Sequence, residues 1–262
     1  MDEEGISGLK GGRMQIDKRI YVVGSGWAGY NLTNHYDCDV YLVDCGGKLA
    51  MIDAGAGTST EKIEEIIHFH GFSLKDVEAI FITHTHGDHV GGAKALGQLT
   101  SAKILAHPDS AEYLRKGAQD KMSVDIAVAK GMYPEGFFVE ACDALTMADG
   151  EAIQIGEVSF TAIYTPGHCN GHHSYLAVTP EKRYLFSGDS IFLGGRISLQ
   201  NIWDCSIEEY AKTAKRLDEL EFDALLPSHF GIDLSEGKLH TRRAAEIFAQ
   251  LGVPGQASEG RS

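Results

Sequence analysis

Apolar positions in this chain fall into short runs that alternate between strand and helix spacing. Arg19–Val23, Asp39–Asp44 and Lys48–Asp53 are brief, β-branched runs separated by turn-forming residues, and each predicts a strand. Thr60–His70 carries Ile63, Ile66, Ile67 and Phe69 at helical spacing, with Gly71 as its stop. Val77–Thr83 (VEAIFIT) is a continuous apolar run typical of a buried strand. The glycine-rich segment Gly87–Gly97 leads into a short strand at Lys103–Ala106. From Pro108 to Leu145 the pattern turns helical and polar, with Ser110–Lys116 and Gln119–Lys130 as predicted helices.

Strand character returns at Ala152–Ile155, Val158–Tyr164, Ser174–Val178 and Arg183–Ser187. Ile207–Leu220 then places Tyr210, Ala211, Ala214 and Leu217 on one helical face. Asp223–Pro227 is a last strand and Leu239–Leu251 a closing helix. Residues 1–18 are polar and aperiodic, and a flexible leader is expected there. Residues 19–262 read as one mixed α/β domain, with 108–145 as a helical lid inserted into it.

Composition narrows the function. Of 262 residues, 43% are hydrophobic and 23% charged, an ordinary globular balance with no apolar run long enough to span a membrane. The opening MDEEGISGLKGG is acidic and Gly-rich where an export signal would be basic and then apolar, so a cytoplasmic location is expected. The net charge of −14 repels phosphate backbones, which argues against nucleic acid as a partner and for a small-molecule substrate. A homo-oligomer is compatible with all of this. Cys38, Cys45, Cys142, Cys169 and Cys205 show no C-x-x-C spacing and read as reduced thiols.

Gly24-Ser25-Gly26-Trp27-Ala28-Gly29 matches a dinucleotide fingerprint, with Asp44 twenty residues after Gly24. That site needs a helix opening at its last glycines. The residues that follow, 30–37, are too short and polar a stretch to supply one, so a flexible hairpin tip is the better reading.

The chemistry is concentrated in Thr83-His84-Thr85-His86-Gly87-Asp88-His89, which packs four potential ligands directly after the buried strand. His84 and His86 alternate on an extended backbone and point the same way, while Asp88 and His89 lie beyond the turn and can serve an adjacent ion. Imidazole and carboxylate together suit zinc, and also iron, manganese or cobalt. Three more strand-like runs end in residues of the same kind: Thr165-Pro166-Gly167-His168, Ser187-Gly188-Asp189 and Pro227-Ser228-His229.

With these motifs in this order, and Met51-Ile52-Asp53-Ala54-Gly55 before them, the chain resembles the metallo-β-lactamase superfamily over roughly residues 19–235. The resemblance implies a four-layer αβ/βα sandwich with two divalent ions, zinc first and iron or manganese as alternatives, at one edge of two facing sheets. It implies that His84, His86 and His168 hold one ion, that Asp88, His89 and His229 hold the other, and that Asp189 bridges them. Asp53 would steady the ligand loop through hydrogen bonds. Two dications would generate a bridging hydroxide, with Asp88 and Asp189 in the catalytic machinery. The implied activity is hydrolysis of a small thioester, lactone, or carboxylic or phosphoric ester.

The motifs sit nearest the glyoxalase II-like branch, without its full C-terminal helical region. The alternative is a persulfide dioxygenase-like oxidoreductase holding one iron on His84, His168 and Asp189. Substrate contacts are expected from Trp27, Tyr30 and Tyr36 in the first hairpin, from His172, and from Arg196 after Gly194-Gly195. Cys169 is expected to point away from the metals.

Overall fold

A computed structural model describes residues 14–259. Of the leader expected over 1–18, residues 1–13 lie outside the described part. Gln15–Asp17, by contrast, is an ordered edge strand rather than a frayed tail: Gln15 pairs with Tyr21 and Asp17 with Ile20.

In chain order the strands are β1 (Gln15–Asp17), β2 (Ile20–Gly24), β3 (Val40–Asp44) and β4 (Leu49–Ile52), followed by helix α1 (Thr60–Phe69) and β5 (Val77–Phe81). Next come α2 (Gly87–Val90), α3 (Ala93–Thr100), β6 (Lys103–Ala106), α4 (Pro108–Lys116), α5 (Val124–Ala129) and β7 (Leu145–Thr146). The second half holds β8 (Ala152–Ile155), β9 (Val158–Tyr164), β10 (His173–Val178) and β11 (Arg183–Gly188). It closes with α6 (Ile207–Asp218), β12 (Ala224–Pro227) and α7 (Lys238–Ala249).

The strands form two sheets. The first runs β1-β2-β3-β4-β5-β6-β7, antiparallel as far as β4 and parallel from β4 to β7. The second runs β12-β11-β10-β9-β8, with only β11 and β12 parallel. Alternation along each strand feeds two separate apolar layers. In β3, Tyr41 and Val43 face the opposite sheet, while Val40 and Leu42 face the helices α1 and α3. In β11, Tyr184 and Phe186 face inward and Leu185 packs outward against Tyr210, Ala214 and Leu217 of α6. The order of layers is therefore helices, sheet, sheet, helices, which is the expected αβ/βα sandwich.

The inner faces meet through rings and hydroxyls. Phe81 of the first sheet stacks on Phe160 of the second at 4.7 Å. Tyr41 Oη donates to Pro227 O at 2.5 Å and Tyr175 Oη to Ile82 O at 2.8 Å, so each sheet is hydrogen-bonded to a strand end of the other.

The glycine-rich segment Gly87–Gly97 forms α2 and the start of α3, and a Cβ on Gly91 would lie 2.1 Å from Ala56 O. Glycine is there to let a helical turn abut the backbone that follows β4, which composition alone cannot distinguish from a loop. After β2, residues 25–39 make turns without a helix and return antiparallel into β3, so no helix N-terminus stands ready for a pyrophosphate. No helix among the described residues is long and apolar enough to cross a membrane.

Candidate metal centre

Every ligand motif follows the C-terminal end of a strand, and all of them meet at one rim of the sandwich. Asp53 follows β4 and residues 84–89 follow β5, both in the first sheet. His168 follows β9, Asp189 follows β11 and His229 follows β12, all in the second. At Gly188 (φ +55°) the halves come within backbone distance: an added Cβ would lie 2.7 Å from His172 Nε2 and 2.9 Å from Thr83 Cβ. A side chain there would separate the two ligand sets.

Asp53 is fully buried and has a left-handed backbone (φ +62°), a conformation that Asp adopts more readily than most residues. Its carboxylate accepts Thr83 N–H at 2.8 Å and Thr83 Oγ1 at 2.9 Å, Ser228 Oγ at 3.2 Å, and His89 Nδ1 at 2.8 Å. One buried acid thus holds the first ligand loop, one ligand ring and the strand end before His229.

These bonds assign the tautomers. The Thr83 hydroxyl has one proton and gives it to Asp53, so His84 Nδ1, 3.1 Å from Thr83 Oγ1, must be the donor to it. His89 donates its Nδ1 proton to Asp53, and His168 donates its own to Ser198 O at 2.9 Å. In all three rings Nε2 is the nitrogen that faces the rim.

The ring nitrogens converge in two places. His84 Nε2 and His168 Nε2 lie 3.1 and 2.9 Å from His86 Nδ1, and His84, His168 and Asp189 each offer an atom within 4.8 Å of the others. Asp88, His89 and His229 form a second such set. His89 Nε2 and His229 Nε2 stand 3.3 and 3.1 Å from Asp88 Oδ2. Asp189 faces both: Oδ2 is 3.6 Å from His168 Nε2, while Oδ1 is 3.7 Å from His89 Nε2 and 3.6 Å from His229 Nε2.

Buried His89 Nε2 and Asp189 Oδ1 have no hydrogen-bond partner. Burial disfavours the charged form of His84 and His168 and holds both well below the usual imidazole range; burial also lowers His86, to about 4. Burial opposes the charged form of His89 and His229 as well, but the carboxylates facing them outweigh it and raise both. Imidazole nitrogens gathered around carboxylate oxygens fit divalent cations, which would satisfy the atoms that protein groups leave unpaired.

The other expected site residues divide. Trp27 and Tyr36 line a cleft of about 330 Å³ whose floor holds His86, Asp88, Asp189 and His229. Tyr30 does not line that cleft; it packs against the core between the sheets. His172 is fully buried and is not a wall of the cleft either. It stacks on His84 with ring centroids 5.0 Å apart, accepts Asp189 N–H on Nε2 at 3.1 Å and meets Thr165 Oγ1 through Nδ1 at 2.8 Å. Arg196 turns away, donating to Glu259 O at 2.6 Å and lining a separate cleft with Arg243. Cys169 does not point away: its sulfur lies within 4.8 Å of ligand nitrogens of His84 and His86.

One contributor escaped sequence reading altogether. Tyr133, in the segment 108–145, reaches Asp88 of the ligand loop with its hydroxyl and stacks on Phe137 at 4.4 Å. Its neighbours Met122, Ile126 and Met132 form one wall of the cleft. Nothing local in the sequence marks a tyrosine for a partner 45 residues earlier.

The comparisons with known proteins show the family and the fold. A family model described as the metallo-beta-lactamase superfamily matches residues 34–229. The chain is 23% identical over 230 residues to an atrochrysone carboxyl ACP thioesterase of Aspergillus novofumigatus, covering 85% of this chain and 61% of that protein. It is 29% identical over 191 residues to a beta-lactamase-like protein 2 homolog of Caenorhabditis elegans, covering 73% and 55%. It therefore spans about three-fifths of these relatives' length. Among solved structures, a metallo-beta-lactamase of Cronobacter sakazakii with a HARLDQ motif superposes with a TM-score of 0.69 at 20% identity, covering 90% of this chain and 95% of that one. A subclass B3 metallo-beta-lactamase of Bradyrhizobium japonicum gives 0.69 at 20% identity, with 91% of each chain covered.

Proposed function

Because this chain belongs to the metallo-β-lactamase superfamily, we propose that it is a binuclear metal-dependent hydrolase acting on a small ester-like bond: a thioester, a lactone, or a carboxylic or phosphoric ester. The observation that carries the reading is Asp189, whose two oxygens are divided between two convergent ligand sets. His84, His86 and His168 would hold one ion, Asp88, His89 and His229 the other, with zinc favoured by the nitrogen-rich donor set. When bound, such ions supply an activated water and a Lewis acid for the scissile carbonyl or phosphoryl oxygen.

The protein's own share is positioning. Asp53 fixes the tautomer and direction of His89, Ser198 O does the same for His168, and His172 fixes the backbone of Asp189. The cleft above them gives a substrate access to the floor that holds His86, Asp88, Asp189 and His229. An oxidative reaction on a single iron would need only His84, His168 and Asp189. In that alternative the second set is present but idle, so metal count and identity decide between the two readings.

The test is metal identity and stoichiometry by elemental mass spectrometry, on untagged protein expressed without metal supplementation, together with turnover on an ester, lactone and thioester panel. Two zinc or manganese per chain and metal-dependent hydrolysis are expected. One iron per chain, with oxygen uptake on glutathione persulfide, would overturn the reading.

A further inference from the structure

We infer that the cleft selects substrates whose group beside the scissile bond is uncharged and apolar, an aliphatic chain or an aromatic ring, and rejects those carried on an anionic handle. The inference rests on the hydrolase reading for the reaction, but its observations concern the wall and not the metals.

Three elements far apart in sequence supply that wall. The hairpin after β2 gives Trp27 and Tyr36, the segment around α5 gives Met122, Ile126 and Met132, and the turn after β12 gives Phe230. Trp27 and Met132 are each 57% exposed and Ile126 is 38% exposed. Large apolar side chains left in water and gathered at the mouth of one cleft mark a binding surface, because scattered exposure would not converge. One of them is Met132, whose unbranched thioether adapts to ligands of varied shape.

Charge gives an independent constraint. Among the described residues no lysine or arginine lines the cleft, and the acidic side chains there are Asp37, Asp88 and Asp189. Asp88 and Asp189 belong to the ligand sets, and Asp37 is bound inward by Thr33 Oγ1 and by the backbone N–H groups of Asn34 and Ala56. The guanidinium groups of Arg196 and Arg243 line a different cleft. A carboxylate or phosphate carried beyond the reacting centre would be desolvated against an apolar wall with no cationic side chain among the described residues to pair with. Thioesters of large anionic carriers and nucleotide esters fit this poorly. Acyl esters, lactones and thioesters of small neutral thiols fit it well.

The test uses metal-loaded, full-length protein. With p-nitrophenyl esters from acetate to octanoate, kcat/KM should rise about four-fold per methylene until the cleft is filled. The octanedioate monoester, identical in length but ending in a carboxylate, should fall below the acetate ester. Ile126→Lys should restore the octanedioate monoester and weaken the octanoate ester. Phe138→Lys, on an exposed residue outside the cleft, should change neither.

Binding of neutral alkyl amides from acetamide to octanamide, followed by calorimetry, reads the same selectivity without turnover. Hydrolysis that is flat in chain length, or that prefers the carboxylate, would overturn this inference and leave the hydrolase reading intact. Failure of every ester, lactone and thioester, with amide binding that still strengthens per methylene, would overturn the hydrolase reading and leave the apolar selectivity standing.

Discussion

Tyr133 Oη donates to Asp88 Oδ1 at 2.6 Å and accepts the backbone N–H of the same residue at 3.1 Å, so one phenol fixes both ends of Asp88. The carboxylate is left with Oδ2 toward His89 and His229. Tyr133→Phe keeps the ring on Phe137 and removes only the hydroxyl. The expected outcome is a metal affinity about 10- to 100-fold weaker at the Asp88, His89, His229 set and little changed at the other. Chelator competition with elemental analysis at each step would check this. Equal loss of both ions, or of neither, would count against a positioning role.

Asp53→Asn preserves the shape and the left-handed backbone, since Asn tolerates positive φ as Asp does. It replaces one accepting oxygen by a donor amide, and His89 Nδ1–H and the hydroxyls of Thr83 and Ser228 then compete for too few acceptors. Affinity for the second ion should fall at least about ten-fold, and hydrolysis should fall with it. A variant with unchanged metal content and turnover would show that His89 is oriented by something other than Asp53.

His172 was expected at the substrate, but its contacts are with Asp189 N–H, Thr165 and the His84 ring. His172→Phe should therefore lower kcat about ten-fold or more while KM moves little, and His172→Gln, which keeps an acceptor near the position of Nε2, should recover part of the loss. A change confined to KM would return His172 to the substrate wall.

Buried histidines make the metal-free protein sensitive to acid. His173 is buried, neither ring nitrogen has a hydrogen-bond partner, and burial followed by its neighbour His107 lowers it to about 3. The unfolded chain binds this proton near pH 6.5 and the folded chain does not, so stability is full above pH 6.5 and is lost as pH falls toward 3. In chelated protein, His173→Gln should make the acid limb of the stability curve shallower by about 1.4 kcal/mol per pH unit between the two values. Urea unfolding at pH 4 to 7 measures the slope, and an unchanged slope would refute the assignment.

The mixed α/β character was legible because most strands are apolar runs bounded by turn residues, while the sandwich followed from the resemblance carried by the ligand motifs. Strands over 103–106, 152–155 and 158–164 have the bounds their patterns predict. The ligand motifs were legible because each follows such a strand. What escaped has identifiable causes. β7 is only two residues long and both are exposed, so it has no period to read, and β1 is a polar edge. Arg196 was misplaced because the paired backbone of Phe192 and Arg196, across glycines with positive φ, sends it toward residue 259. The contacts of Tyr133 and His172 depend on how the layers pack, which no local pattern encodes.

The ligands are shared between two sheets that are far apart in sequence: residues 53–89 come from the first and 168–229 from the second. Pairings of such long sequence separation form late in folding, after the local hairpins and helices. Neither half alone carries a complete ligand set, because His168, Asp189 and His229 all come from the second sheet. Ion uptake during refolding is thus a clock for the docking of the two halves. A chain stalled with both sheets formed but unjoined would look nearly native by circular dichroism and yet hold its metal only weakly.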